Sequence, residues 1–516
     1  MKSAHIFYPL LLIAVTFTHS ASAKLSPQKA SKQKWYSAST SNFIVITDYG
    51  EKKAIKLAQN LERFRVMFEL LANVKLDENI RPVKLYATKR SSTYNFLREQ
   101  AGASKNTIGF FDDTINGNYA ALKLDNTSKY QLSVLFHEYT HYLSANLSRA
   151  NNPFWYNEGF AEYMGEMEFK DDKTILHGKP EFKHLANIAN MSWMPLDTLL
   201  NTNHIDSKER KKRYKIYSQG WLLVHYFNSS ETLIKQQKKF FSLISSGVKP
   251  NDAIDQISEL SFSEFEKALK KYSRQRKFSY SHITLDNTLN VNDIKIHKLK
   301  ADEIAYQLGE FALQTGGENT ESRPYFEKAL TINPNNVDAI AGLANTYLGN
   351  NDEKLAALIS KAKKISPKNP WVATVSGHFN ARKMRLEKNE ALRKEYWNQS
   401  VRDFNTAINS GKINVEAICG ASSLYAYEKR YKKALELLEL AYAFAPSNYR
   451  VRTKLISLYL ANKNPEEAQK IVDRVTNSHH WSDSAIGGFE KWYAKQIKWW
   501  TKYHNQQKSP SDAQAF

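Results

Sequence analysis

Residues 132–163 read LSVLFHEYTHYLSANLSRANNPFWYNEGFAEY, and their pattern decides the first half of the chain. Leu132, Leu135, Phe136, Tyr139, Tyr142 and Leu143 recur at three- and four-residue steps, the period of one buried helical stripe. His137 and His141 stand four apart on that helix, so both imidazoles leave the same face and can bind one metal ion, with Glu138 in reach of a water beside it. The turn at Asn151-Asn152-Pro153 leads into a second helical run, Trp155 to Tyr163, in which Glu158 and Glu162 are spaced to share a face. Cys419 is the single cysteine, so any metal must be held by histidines and carboxylates, and no intramolecular disulfide can form.

Toward the N-terminus, Asn42 to Thr47 reads as a buried strand. A helix follows, striped by Ala54, Leu57, Ala58, Leu61, Phe64, Met67, Phe68 and Leu71. Further strands are expected at Val83 to Ala87, Thr107 to Phe111 and Tyr119 to Leu124, the last two separated by a polar turn containing Asp112-Asp113 and Asn116-Gly117. A small mixed sheet followed by helices is an α+β arrangement. The first 23 residues have the form of a secretory signal: Lys2, an apolar run from Ile6 to Phe17, then Ala21-Ser22-Ala23. The expectation is a protein exported through a cleavable signal peptide (1–23), periplasmic or secreted. No cysteine follows the apolar run to carry a lipid, and no later stretch reaches the ~18 apolar residues of a membrane span.

Toward the C-terminus, residues 276–300 lack a helical period and read as a connector. Beyond them the chain repeats itself. Phe326 to Ala344 (FEKALTINPNNVDAIAGLA) matches Phe404 to Ser422 (FNTAINSGKINVEAICGAS) at seven of 19 positions, an offset of two 34-residue units plus an insertion. Small residues such as Ala344, Ala417, Gly420 and Ala434, with prolines at 334, 367 and 446, complete a pattern that resembles the tetratricopeptide repeat. That resemblance implies an all-α solenoid over 301–475, four or five helix pairs, with a protein partner bound through the repeats. Cys419 falls at a small-residue position and reads as a packed thiol. The tail 476–516 holds an aromatic and basic helix, Phe489 to Tyr503, read as a cap on the solenoid, with an interfacial membrane helix as the alternative.

Composition is that of a folded chain, and 73 Lys and Arg against 52 Asp and Glu leave +21. Nucleic acid is not expected as a partner outside the cytoplasm. An anionic envelope surface or acidic peptide is the counterpart there, with a general solubility charge as the bland reading. The run Lys208 to Lys215 (KERKKRYK) reads either as a solvated loop or as an attractor for acidic substrate.

The HEYTH helix followed by NEGFAEY resembles the gluzincin metallopeptidases, over about residues 36–275 and most closely over 132–164. The resemblance implies a zincin-like domain over 36–275 that binds zinc (Zn2+) through His137, His141 and Glu158 and hydrolyses peptide bonds by a zinc-bound water, with Glu138 as general base. Glu162, one turn beyond Glu158, is placed as a supporting carboxylate behind a ligand histidine, with Asn157 as a second supporting group. Glu162 can also exchange roles with Glu158 or simply face solvent. In the run Tyr214 to Trp221, Tyr217 is the first candidate to stabilise the oxyanion and Tyr214 the second, with core packing as the alternative for either. The Gly-x-Met-Glu-Asn strand of gluzincin aminopeptidases is missing, so endopeptidase action on a peptide or protein substrate is expected. In that reading Asn118 to Leu124 is the edge strand pairing with substrate. The rival readings are a repeat scaffold with a silent peptidase-like domain, and a zinc hydrolase of cell-wall peptide amides.

Overall fold

The structure is a computed structural model that describes residues 25–506, apart from 77–80, 106, 125–128, 148–151, 172, 203–204, 206–208, 286–292, 317–318 and 477–482. The signal-like segment 1–23 and Lys208 lie outside the described residues. The chain begins with α1 (Pro27–Ser31), β1 (Tyr36–Ser39), β2 (Phe43–Thr47), α2 (Glu51–Ala72), β3 (Val83–Thr88) and α3 (Ser91–Gln100). The hairpin β4 (Gly109–Thr114) and β5 (Gly117–Lys123) precedes α4 (Lys129–Asn146) and α5 (Phe154–Gly165). Next come β6 (Glu168–Phe169), β7 (Thr174–His177), α6 (Phe182–Asn190), α7 (Leu196–Asn201) and α8 (Arg210–Phe227). Helices α9 (Glu231–Ser245), α10 (Pro250–Ile257) and α11 (Phe262–Ser273) lead to β8 (Ser281–Thr284) and β9 (Lys295–Lys298).

Six strands form one mixed sheet in the order β4-β5-β3-β2-β1-β9, parallel across β5-β3-β2 and antiparallel elsewhere. The central strands are apolar on both faces because both are covered. Val45, Leu85 and Leu122 point to the side where Phe64 of α2 stacks on Phe136 of α4, ring centroids 4.5 Å apart. Ile46, Tyr86 and Ala121 point to the other side, against Leu97 of α3 and Phe311. Phe311 belongs to α12 (Ala301–Gln314), the first helix of the repeats, so the sheet and the solenoid share a core. Glu310 of the same helix accepts from Lys84 Nζ and, at 3.0 Å, from the Tyr119 hydroxyl.

Three expectations are corrected. Strand β5 is internal, and the edge is β4, because the turn is only Ile115-Asn116 and Asp112 and Asp113 are strand residues. Asp113 is accommodated by Arg81, whose Nη2 lies 3.0 Å from its carboxylate. The expected connector also carries structure: β9 pairs with β1, and β8 joins β6 and β7 in a second, three-stranded sheet. Both pairings are distant in sequence and leave no local period.

The helices after α12 are α13 (Asn319–Ile332), α14 (Val337–Asn345), α15 (Asp352–Ile365), α16 (Pro370–Leu386) and α17 (Glu390–Ile408). They continue as α18 (Val415–Tyr427), α19 (Tyr431–Phe444), α20 (Tyr449–Ala461), α21 (Pro465–Thr476) and α22 (Asp483–Gln506). From α12 to α21 the described residues form five successive helix pairs. The internal match has a packing cause. A Cβ on Gly342 would stand 2.4 Å from the Phe326 ring, and one on Gly420 2.5 Å from the Phe404 ring. The insertion lengthens the pair between them to 17 and 19 residues. Cys419 is buried, and burial pushes its thiol up to about 12. Phe489, Trp492, Tyr493, Ile497 and Trp500 of α22 pack on the last hydrophobic cluster, leaving Trp499 exposed. Among the described residues no helix is long and apolar enough to cross a membrane.

Candidate metal centre

Helix α4 buries Leu135, Phe136, Tyr139 and Leu143 against the sheet, which turns His137 and His141 toward α5. Their Nε2 atoms are 3.1 Å apart. Glu158 of α5 brings its Oε2 to 3.7 Å from His137 Nε2 and 3.5 Å from His141 Nε2. Ligand bonds of ~2.0–2.2 Å separate neighbouring ligands of a tetrahedral ion by roughly 3.3–3.6 Å, so this spacing fits one zinc ion. Glu158 Oε2 is also buried without a hydrogen-bond partner. A buried carboxylate oxygen left bare between two imidazoles needs a cation or protons to satisfy it, and these three residues can hold a metal. Burial pushes the Glu158 carboxyl up, but His141, then His137 and Tyr217, outweigh it and hold it low. Burial pulls His141 down, and Glu158, Glu138 and Glu162 together raise it above the ordinary histidine range.

Glu162 takes a different place from Glu158. It faces the other nitrogen of His137, 3.7 Å from Nδ1. Its second oxygen is 3.0 Å from His184 Nε2, and His184 Nδ1 lies 3.1 Å from Ser218 Oγ. Burial opposes ionisation of Glu162, yet the His184 hydrogen bond and the nearby His137 and Lys183 bring it to about 2. A permanently ionised carboxylate at Nδ1 favours the proton there and leaves Nε2 as a lone pair toward the centre.

Glu138 is half-buried, and among the described residues no hydrogen bond or salt bridge engages its carboxylate. Tyr217 comes from α8, its ring centroid 6.3 Å from that of His137 and its hydroxyl near enough to Glu158 to help hold that carboxyl low. Burial first, and the Glu158 charge second, push the Tyr217 hydroxyl far above its usual range, so it remains a donor. Tyr214 stands 48% exposed one turn earlier. Asn157, expected as a supporting group, instead donates to the Asn152 carbonyl at 3.3 Å.

Sequence reasoning missed two features. His184 and Ser218 complete the chain behind Glu162, and their only sequence signal is a lone histidine in a short amphipathic run. The second is the crossing of α5 and α8. A Cβ on Gly159 would stand 2.3 Å from the Gly220 carbonyl carbon, and one on Gly220 2.5 Å from the Trp155 carbonyl oxygen. The two backbones touch, which is what brings Tyr217 to Glu158.

Residues 83–242 match the collagenase (peptidase M9) family model, a span from β3 into α9 that contains the edge hairpin, both metal-facing helices and Tyr217. Residues 302–336 and 425–483 match tetratricopeptide-repeat models. The BBSome complex member BBS4 homolog of Drosophila melanogaster is 23% identical over 161 residues, 31% of this chain. The chain spans about a third of that relative's length, 32%. A thermophilic repeat protein of Thermus thermophilus is 20% identical with a TM-score of 0.33, covering 38% of this chain and 98% of that one. Yeast Tom70 is 13% identical with a TM-score of 0.30, covering 89% of each. The chain therefore joins a region similar to the collagenase peptidases to a series of tetratricopeptide repeats.

Proposed function

We propose that this chain is an exported zinc-dependent peptidase, an endopeptidase acting on extended polypeptide, whose repeats bind a protein partner or present substrate. The observation that carries the reading is the convergence of His137, His141 and Glu158 around a buried, unbonded Glu158 oxygen. The metal, when bound, supplies a Lewis acid and lowers the pKa of water to about 7.

The chain's own residues supply the rest. Glu138, with its carboxylate unengaged, takes the proton of the attacking water and delivers it to the leaving amine. Tyr217, protonated and beside Glu158, donates to the oxyanion as it develops. Glu162 and His184 hold the His137 ring in one tautomer. The similarity to a collagenase model makes collagen, native and heat-denatured, the first protein substrate to try. The signal-like pattern of residues 1–23 supports the exported part of this reading.

Digestion of unfolded proteins and of purified cell-wall peptides side by side, read by mass spectrometry, tests the substrate class. Internal cleavage of the proteins is expected, and release of fragments from the cell-wall peptides alone would contradict it. Tyr217→Phe is expected to lower kcat roughly 100-fold while KM and zinc content stay unchanged. Unchanged turnover would return Tyr217 to core packing.

A further inference from the structure

Resting on the peptidase reading, the geometry points to Asn448, from the repeats, as a specificity-determining residue of the cleft that limits how far an extended substrate can pair with β4. In an antiparallel hairpin the backbone groups of each strand point alternately at the partner and away from it. The Lys123 N–H donates to the Ile108 carbonyl at 2.9 Å, and the register is unbroken from Gly109–Leu122 to Thr114–Gly117. Phe110, Asp112 and Thr114 therefore face β5, while Gly109, Phe111 and Asp113 present their N–H and C=O groups at the free edge. That edge runs beside α4. A Cβ on Gly109 would stand 3.3 Å from Val134, and the Phe111 ring packs on Tyr142 with centroids 4.4 Å apart. His137 and His141 lie between Val134 and Tyr142 on the same helix, so the open edge flanks the metal centre and can take an extended peptide as an added strand.

The ladder closes at Asp113. Asn448, which caps α20, donates from Nδ2 to the Asp113 carbonyl at 3.1 Å, and Ser447 Oγ donates to the Asp113 carboxylate. Arg81 holds the turn from the other side, 2.9 Å from the Ile115 carbonyl, and the Ile115 side chain is buried with Val415 and Ile418 of the repeats. A strand added to β4 lies ~4.8 Å away, which opposite Asp113 is the place of the first residues of α20. Among the described residues no backbone hydrogen bond occupies the outward groups of Gly109 or Phe111. A substrate strand pairs with these two residues and leaves the edge within roughly two residues, about 7 Å, of the position opposite Phe111. The repeats thereby form one wall of the cleft.

The test compares the zinc-loaded full chain with Asn448→Asp. The variant keeps the oxygen that caps the Arg450 and Val451 N–H groups and replaces the amide donor by an oxygen facing the Asp113 carbonyl. Peptides sharing one cleavable bond are extended one residue at a time at either end. They are measured for kcat/KM and, in a Glu138→Gln background, for affinity by fluorescence anisotropy. Each ladder pair gained raises affinity roughly five-fold. The gain is expected to stop early on one side in the native chain, and Asn448→Asp to restore a further ~3–5-fold gain on that side alone. Ser447→Ala, which removes only the hydroxyl, is expected to act in the same direction with smaller amplitude. Identical extension profiles in the three proteins overturn the proposal. Binding profiles that differ as expected, with no peptide hydrolysed, support the register and remove the peptidase reading instead.

Discussion

Glu138→Gln is expected to keep its zinc and lose peptide hydrolysis by about 10²–10⁴-fold, the usual contribution of a positioned general base. The expectation follows from where Glu138 stands. It lies between the two histidines on α4 but does not belong to the converging donor set, which is His137, His141 and Glu158. Its carboxylate is half-buried and unengaged, so glutamine fits the same space without leaving a partner unbonded. Removing it therefore subtracts proton transfer and little else. Glu158→Ala is the opposite case. It deletes a donor from the set, so metal and activity should disappear together. Measuring zinc content and turnover on both variants separates the roles, and a Glu138→Gln enzyme of native activity would show that the base lies elsewhere.

Gly220→Ala should, like Gly159→Ala at the same crossing, be among the most damaging single methyl groups in the N-terminal domain. On helix propensity alone alanine stabilises a helix by about 1 kcal/mol relative to glycine. Here the added carbon would meet the Trp155 carbonyl oxygen at 2.5 Å, a backbone atom that cannot rotate away. The helices must separate, at a cost of about 1–3 kcal/mol or more, as overpacked cores show. The chemical effect is expected to exceed the thermodynamic one. Glu158 adjoins Gly159 on one helix and Tyr217 lies three residues before Gly220 on the other, so separation withdraws Tyr217 from the centre. Gly488→Ala on α22, where a Cβ meets nothing within 4 Å, is the control and should be neutral or mildly stabilising. Urea denaturation and kcat of both variants decide it. A Gly220→Ala protein as stable and active as the native chain would contradict the close crossing.

The sequence was informative where the physics is local. The stripe on α4, the four-residue spacing of its histidines and the small residues of the solenoid are helix-period signals, and the repeat match reflects Phe326 and Phe404 each lying against glycine on a neighbouring helix. Strand order was not legible. Nothing within Asn118 to Leu124 says that β4 will cover its outer side, and Asp112 and Asp113 look like turn residues until Arg81 and Ser447 arrive from 32 and 334 residues away. The same holds for β9, whose partner β1 lies at the other end of the domain. In the site, Glu158 and Glu162 share a helical face, and Glu158 meets the Nε2 atoms of His137 and His141 where Glu162 meets His137 Nδ1 and His184. His184 makes that difference visible, and no local pattern announces it.

The most direct test of the account is the metal content of the purified full chain, read by elemental mass spectrometry beside His137→Ala. The prediction is about one zinc per native chain and none in the variant, since the variant removes one of three converging donors. A native chain that takes up no zinc when the metal is supplied would contradict the central claim and leave the HEYTH helix as packing beneath a repeat scaffold.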